Sequence, residues 1–107
     1  MNKKISVVFV SEKLEKEFEK LGAEEDIKKF ILRAIEDLKQ NPLCGVKLPK
    51  RLFPRAYIQK YNIDNLWKYD LPGGWRLLYS IGRENVIIIS IIIEWMTHKE
   101  YERKFNY

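Results

Sequence analysis

Apolar positions along this chain change their period from one stretch to the next, and each change marks an element. Ile5 to Val10 is a short apolar run that predicts a strand. Ser11 follows and predicts a helix N-cap, because its hydroxyl can accept from free backbone N–H groups. Leu14, Phe18 and Leu21 then fall on one helical face, and Gly22 is suited to end that helix. A second helix is expected from near Ala23, with Ile27, Phe30, Ile31, Ala34, Ile35 and Leu38 forming one apolar stripe. Asn41-Pro42 ends it. Together these helices predict a hairpin packed on a sheet.

The second half changes to a period of two. Leu66 to Leu71 alternates, Pro72-Gly73-Gly74 predicts a turn, and a second alternating strand follows. In that strand Trp75, Leu77, Tyr79 and Ile81 share one face, and Arg76, Leu78 and Ser80 the other. Val86 to Ile93 is rich in β-branched residues and reads as a central strand buried on both faces. Tyr101 and Phe105 suit the packing of a short terminal helix onto the sheet. Residues 41–65 are the least regular part, with a short helix expected to begin at Pro54 and to place Tyr57, Ile58 and Tyr61 on one face. The expected fold class is α+β: a small antiparallel sheet, an N-terminal helical hairpin and a short C-terminal helix, in the order β-α-α-β-β-β-α.

Composition narrows this picture. A chain of 107 residues, 46% hydrophobic, has room for one core, so a single domain over 1–107 is expected. One cysteine, Cys44, rules out an internal disulfide and a cysteine-based zinc site, and fits a reducing compartment. The N-terminus lacks a small-residue cleavage site, which argues against a signal peptide. The apolar run from Val86 is less than half of the ~20 residues a membrane helix needs. The expectation is therefore a cytoplasmic protein with no membrane contact.

Charge is unevenly spread. Residues 11–40 carry nine acidic and seven basic side chains, whereas residues 41–107 carry eleven basic and six acidic. The overall excess of +5 thus arises outside the helical hairpin. A basic surface attracts polyanions, although charge alone fits any basic protein equally well. Lys47, Lys50, Arg51 and Arg55 stand in a stretch with no acid, interleaved with Phe53, Tyr57 and Tyr61. Such a segment can pair with phosphates and stack on unpaired bases, or it can be a solvated loop anchored by its aromatics.

Three residues are candidates for chemistry: Arg76, His98 and Tyr101. Arg76 lies mid-strand between apolar neighbours, where a guanidinium is costly unless it meets an anion. That anion is either Asp70 or Glu94 of the chain itself, or a bound phosphate held bidentately. His98 is the only histidine and can act as general acid or base near neutral pH. RNA supplies its own nucleophile, the 2′-OH, and attack on the adjacent phosphate would leave a 2′,3′-cyclic phosphate. Arg76 and a lysine would stabilise the charge that develops on the phosphate. No cofactor is called for, and one histidine without a Cys or carboxylate cluster makes a poor metal site. A lone histidine near a helix is otherwise a surface or capping residue, and Tyr101 otherwise packs with Phe105.

The element order, Leu66-Trp67, Trp75-Arg76-Leu77-Leu78-Tyr79-Ser80-Ile81 and the closing Thr97-His98-Lys99-Glu100-Tyr101 resemble the RelE/ParE superfamily of type II toxin–antitoxin toxins, in an archaeal-looking branch. The resemblance implies a small sheet cradled by helices, a cognate antitoxin as partner, and one of two activities. RelE-type members cut messenger RNA in the ribosome; ParE-type members inhibit DNA gyrase. It also allows a toxin fold without activity. Carried over, it matches Arg76 to the strand arginine at the scissile phosphate, and His98 and Tyr101 to the terminal His and Tyr positions. Lys47 and Lys50 are rough counterparts of the family's lysines. Glu94 has no counterpart in register, though other branches use a carboxylate. The expectation is a ribosome-dependent mRNA endoribonuclease.

Overall fold

The computed structural model describes residues 4–105. Local sequence sets its first half largely as expected, although the first helix is C-capped by Lys20, ahead of Leu21 and Gly22. Strand β1 (Lys4–Phe9) is followed by helix α1 (Glu12–Glu19), whose N-cap Ser11 accepts through Oγ from the Leu14 N–H at 3.1 Å. Helix α2 (Asp26–Gln40) starts later than Ala23. The Glu25 carboxylate accepts from the Gly22 N–H, and this holds Gly22–Glu25 as a turn. Ile31, Ala34 and Leu38 of its apolar stripe are fully buried, and the helix ends at Asn41.

The second half holds four strands rather than three. β2 (Val46–Lys47), β3 (Trp67–Asp70), β4 (Arg76–Glu84) and β5 (Ile87–Met96) join β1 in one sheet, ordered β1-β5-β4-β3-β2. Neighbours from β2 to β5 are antiparallel, as expected, but β1 runs parallel to β5, so the sheet is mixed. Tight turns join β3 to β4 and β4 to β5, whereas residues 48–66 connect β2 to β3. β1 is separated from these strands by the helical hairpin, and that detour allows parallel pairing along the outer edge of β5. Helix α3 (Arg55–Tyr61) follows Pro54, and helix α4 (His98–Phe105) follows β5.

Two apolar layers sandwich the sheet. Leu14, Phe18, Ile31, Ala34 and Leu38 of the hairpin pack with Leu71, Leu77, Tyr79 and Ile92. On the opposite face Leu48, Tyr57, Leu66, Tyr101 and Phe105 pack with Leu78, Ile93 and Met96. Leu77, Leu78 and Tyr79 are consecutive and none has any exposed surface. Beside them β5 bulges: Leu78 pairs with Glu94 and Tyr79 with Ile92, leaving Ile93 as the extra residue. Two-sided burial does not extend along the whole run from Val86. Val86 is 77% exposed, in the β4–β5 turn beside Asn85 (φ 54°), and Ile87 to Ile89 are only half-buried. Ile58 is likewise 45% exposed and does not share the buried face of Tyr57.

The segment from 41 to 65 is tied to the sheet by side chains. The Tyr79 hydroxyl donates to the Pro42 carbonyl (2.7 Å) and accepts from the Gly45 N–H (3.1 Å). Burial pushes that phenol's pKa up, so it stays a donor. A Cβ on Gly45 would lie 2.6 Å from both the Lys68 carbonyl oxygen and the Tyr79 hydroxyl, so only glycine fits. At the other end Asn65 reads the β4 backbone: its Oδ1 accepts from the Ile81 N–H (2.8 Å) and its Nδ2 donates to the Ile81 carbonyl (2.9 Å). Tyr79→Phe should therefore leave two backbone groups without their partner and lower stability by about 1–3 kcal/mol. Urea denaturation measures this; a midpoint equal to that of the wild type would show that water replaces the hydroxyl.

Candidate functional site

The site grows from the β3–β4 hairpin. Leu71 N–H donates to the Trp75 carbonyl (2.8 Å) across a short 3-10 turn, Pro72–Gly74, in which Gly73 and Gly74 have φ of 74° and 82°. This turn fixes a register that sets Asp70 opposite Arg76 and Lys68 opposite Leu78. Cross-strand partners share a face, so Lys68, Asp70 and Arg76 emerge together on the side covered by α3 and α4.

All three nitrogens of the Arg76 guanidinium have neighbours. Nε lies 3.1 Å from Asp70 Oδ1, Nη1 donates to the Trp75 carbonyl (3.3 Å), and Nη2 donates to His98 Nδ1 (3.1 Å). Asp70 Oδ1 also meets Lys68 Nζ at 3.3 Å. The Nε contact is close but misaligned: Nε is buried and makes no hydrogen bond of good geometry. Of the two internal anions open to Arg76, Asp70 is the one it meets. Glu94 instead accepts from the Tyr57 hydroxyl and pairs with Lys104 at 3.0 Å.

His98 opens α4. Thr97 and Glu100 form a reciprocal cap: the Glu100 N–H donates to Thr97 Oγ1 (3.2 Å) and the Thr97 N–H to Glu100 Oε1 (2.9 Å). These bonds from Thr97 hold the Glu100 carboxyl below the usual range. The cap leaves His98 about half exposed and facing the hairpin. Arginine can only donate, so His98 Nδ1 is the acceptor and its proton sits on Nε2. Nε2 in turn meets the Glu102 carboxylate, one helical turn on. The arrangement is an imidazole of fixed tautomer between a guanidinium and a carboxylate.

Of the residues picked out from sequence, Arg76 and His98 come together and Tyr101 lies beneath them. Tyr101 is 3% exposed, stacked on Phe105 at 4.5 Å, with Lys68 Nζ and Arg76 Cζ 5.7 and 5.8 Å from its ring centre. Its ring forms the floor of the site. Lys47 is exposed, but its strand partner is Trp67, so it stands on the side of the helical hairpin, away from Arg76. Lys50, Arg51 and Arg55 are exposed as well. No hydrogen bond or ion pair among the described residues joins any of these four to Arg76 or His98. Lys47 and Lys50 instead border a separate cleft that also contains Asp64 and Asn65.

Residues 8–94 match the family model described as ParE toxin of type II toxin–antitoxin system, parDE. The chain belongs to this toxin family. The match includes Lys68, Asp70 and Arg76, and stops before α4 and His98. The toxin's fold is also similar to a free-state structure of the E. coli toxin RelE carrying two arginine-to-alanine substitutions. That likeness has a TM-score of 0.50 and 16% identity over 99% of this chain and 96% of the other. No curated protein matches. Membership implies an antitoxin partner. Among the described residues no helix is long and apolar enough to cross a membrane.

Lys68 and Glu102 were not among the residues picked out from sequence, and Asp70 stood there only as one of two possible anions for Arg76. The signals were present: counting back from the Gly-Gly turn pairs Asp70 with Arg76, and Glu102 is four residues beyond His98. The cap gives a direct check on how His98 is held. Thr97→Ala should cost about 1 kcal/mol in thermal or urea melts. Because the Glu100 pKa is depressed in the folded state, its contribution is present above the ordinary value of 4.5 and fades as pH falls through the lower folded value. A Glu100→Gln variant should therefore differ from wild type at neutral pH and converge with it in acid. A constant difference across that range would mean that the carboxylate charge plays no part in the cap.

Proposed function

We propose that the toxin is an endoribonuclease that cuts messenger RNA on the ribosome by attack of the substrate's own 2′-OH. The observation that carries this reading is the 3.1 Å contact between Arg76 Nη2 and His98 Nδ1 at a half-exposed position. A guanidinium beside an imidazole of fixed tautomer supplies what transesterification at a phosphate requires. Arg76, with Lys68 beside it, would hold the two free oxygens of the scissile phosphate and stabilise charge in the transition state. As Arg76 turns to the phosphate it uncovers the Nδ1 lone pair, which can take the 2′-OH proton. The 5′-oxygen leaves as the O2′–P bond forms, and receives a proton from the imidazolium or from water. Glu102 accepts from Nε2–H and orients the ring, a role that a carboxylate plays for histidines elsewhere. No step calls for a metal or cofactor. Tyr101 would act by supporting Arg76 and Lys68. Lys47, Lys50, Arg51 and Arg55 would add longer-range attraction for the RNA backbone. The antitoxin would neutralise the toxin by covering the basic surface.

A second reading has its own support: inhibition of DNA gyrase by binding alone. The family model carries the ParE name and stops before His98, so family membership does not depend on the histidine.

Arg76→Ala and His98→Ala separate the two. Expressed without antitoxin, the wild type should lower translation before DNA synthesis. Primer extension on translated mRNA should show new 5′ ends. Arg76→Ala should remove them, a loss of about 10²–10³-fold in rate, or roughly 2.7–4 kcal/mol in the transition state. His98→Ala should also reduce cutting, and less so if a lysine shares the proton transfer. Both variants should melt near the wild type. Intact mRNA with early arrest of DNA synthesis would transfer the assignment to the gyrase reading. Wild-type cutting by a folded Arg76→Ala variant would remove Arg76 from the site.

A further inference from the structure

We propose that Asp70 is a specificity-determining residue: an internal anion that occupies the phosphate seat and restricts cutting to RNA presented with additional contacts. This inference rests on the endoribonuclease reading. One carboxylate oxygen, Asp70 Oδ1, meets both Lys68 Nζ (3.3 Å) and Arg76 Nε (3.1 Å). Those are the two cations that a phosphate at Arg76 would engage. Both are largely buried, with side chains 21% and 17% exposed, whereas the Asp70 side chain is 54% exposed. The anion is thus the most exposed member of the set and the part free to leave.

The geometry also shows an imperfect fit. Arg76 Nε remains a buried donor without a well-aligned acceptor, although Asp70 stands next to it. A buried donor in that state is costly, and an acceptor that approaches along the N–H direction gains by replacing the carboxylate. A phosphate has more oxygens to offer and is not tethered to the strand opposite. The exchange still has to break two ion pairs. A free strand, which brings little besides its phosphates, gains little from it. RNA held by a larger assembly arrives with its entropy of binding already lost, and the same exchange becomes favourable.

The covalent neighbours favour this reading over a purely structural ion pair. Asp70 is the last residue of β3, and the strand end is already fixed by the Leu71–Trp75 hydrogen bond and the two glycines. A half-exposed pair adds little to a turn so held.

The test uses Asp70→Asn and Asp70→Ser in the full chain, with a 2′-O-methyl single-stranded oligoribonucleotide as the uncleavable probe and the unmodified oligomer as substrate. Melting near the wild-type temperature is expected for both. The variants should bind the probe roughly three- to tenfold more tightly. The salt dependence should steepen by roughly 0.7 in log–log slope for each phosphate newly neutralised. Both should also cut free RNA that the wild type leaves intact. Equal affinity in folded variants, or tighter binding with an unchanged salt slope, would overturn the role of Asp70. Wild-type cutting of free RNA at the rate seen on translated message would overturn it too. The parent reading is judged separately, by Arg76-dependent cutting of translated mRNA; if that is absent, both fall, and if it is present while the oligomer results are flat, only the Asp70 inference falls.

Discussion

Burial of β4 on both faces is the constraint from which the rest of the toxin follows. A strand with Leu77, Leu78 and Tyr79 fully covered needs an apolar layer on each side. The helical hairpin supplies one; α3, α4 and the segment before β3 supply the other. Such a strand can carry charge only where the layers stop. Arg76 is its first residue rather than the mid-strand one its apolar neighbours suggested, and it stands at that border. The bulge in β5 extends the logic: with Ile93 as the extra residue, Glu94 pairs with Leu78 on the α3–α4 side. There it needs a donor and a cation, and finds them in Tyr57 and Lys104. The Tyr57 phenol pKa is raised, by burial first and by Glu94 second, so it remains the donor in that pair.

The hairpin turn converts this border into an electrostatic device. Positive φ at Gly73 and Gly74 fixes the register, and register alone decides that Arg76 faces Asp70. A slip of one residue would send the guanidinium to the hairpin side, among Leu14, Phe18 and Ile31. The aromatic ring of Tyr101 completes the arrangement from below, where two cations share one π face. Positive charges so close together are tolerated because Asp70 neutralises one of them and the ring stabilises both.

Much of this was legible in the chain, for reasons that differ by element. The two helices of the helical hairpin and β4 follow one period for long enough to be read directly. β2 was not legible, since two residues have no period; pairing with β3 holds them, and a hydroxyl on Tyr79, 34 residues from Gly45, holds the chain just before them. The parallel pairing of β1 was hidden for a similar reason: its register against β5 depends on how a distant detour returns. Arg76 and His98 stood out by rarity of type and place. Lys47 was picked out as a basic residue near the site and Lys68 was not, but alternation along β2 and β3 puts Lys68 on the face of Arg76 and Lys47 on the other. Glu102 looked ordinary because it matters only through His98, and Asp70 stood level with Glu94 because only the strand register decides between them.

The helix start separates what α4 needs for stability from what it offers for chemistry. Thr97 and Glu100 satisfy the free N–H groups of the first turn, and that pair explains itself. The His98–Glu102 pair does not. Both side chains are about half exposed, and an exposed i,i+4 contact contributes a few tenths of a kcal/mol at most. Its consequence is instead positional. With Nε2–H directed to Glu102, the lone pair of Nδ1 has one direction to face, and that direction is Arg76. A surface that served only to dock a partner would gain nothing from a fixed tautomer. A site that must remove a proton next to a phosphate gains an oriented base, and this asymmetry is why the catalytic reading is preferred to the binding one.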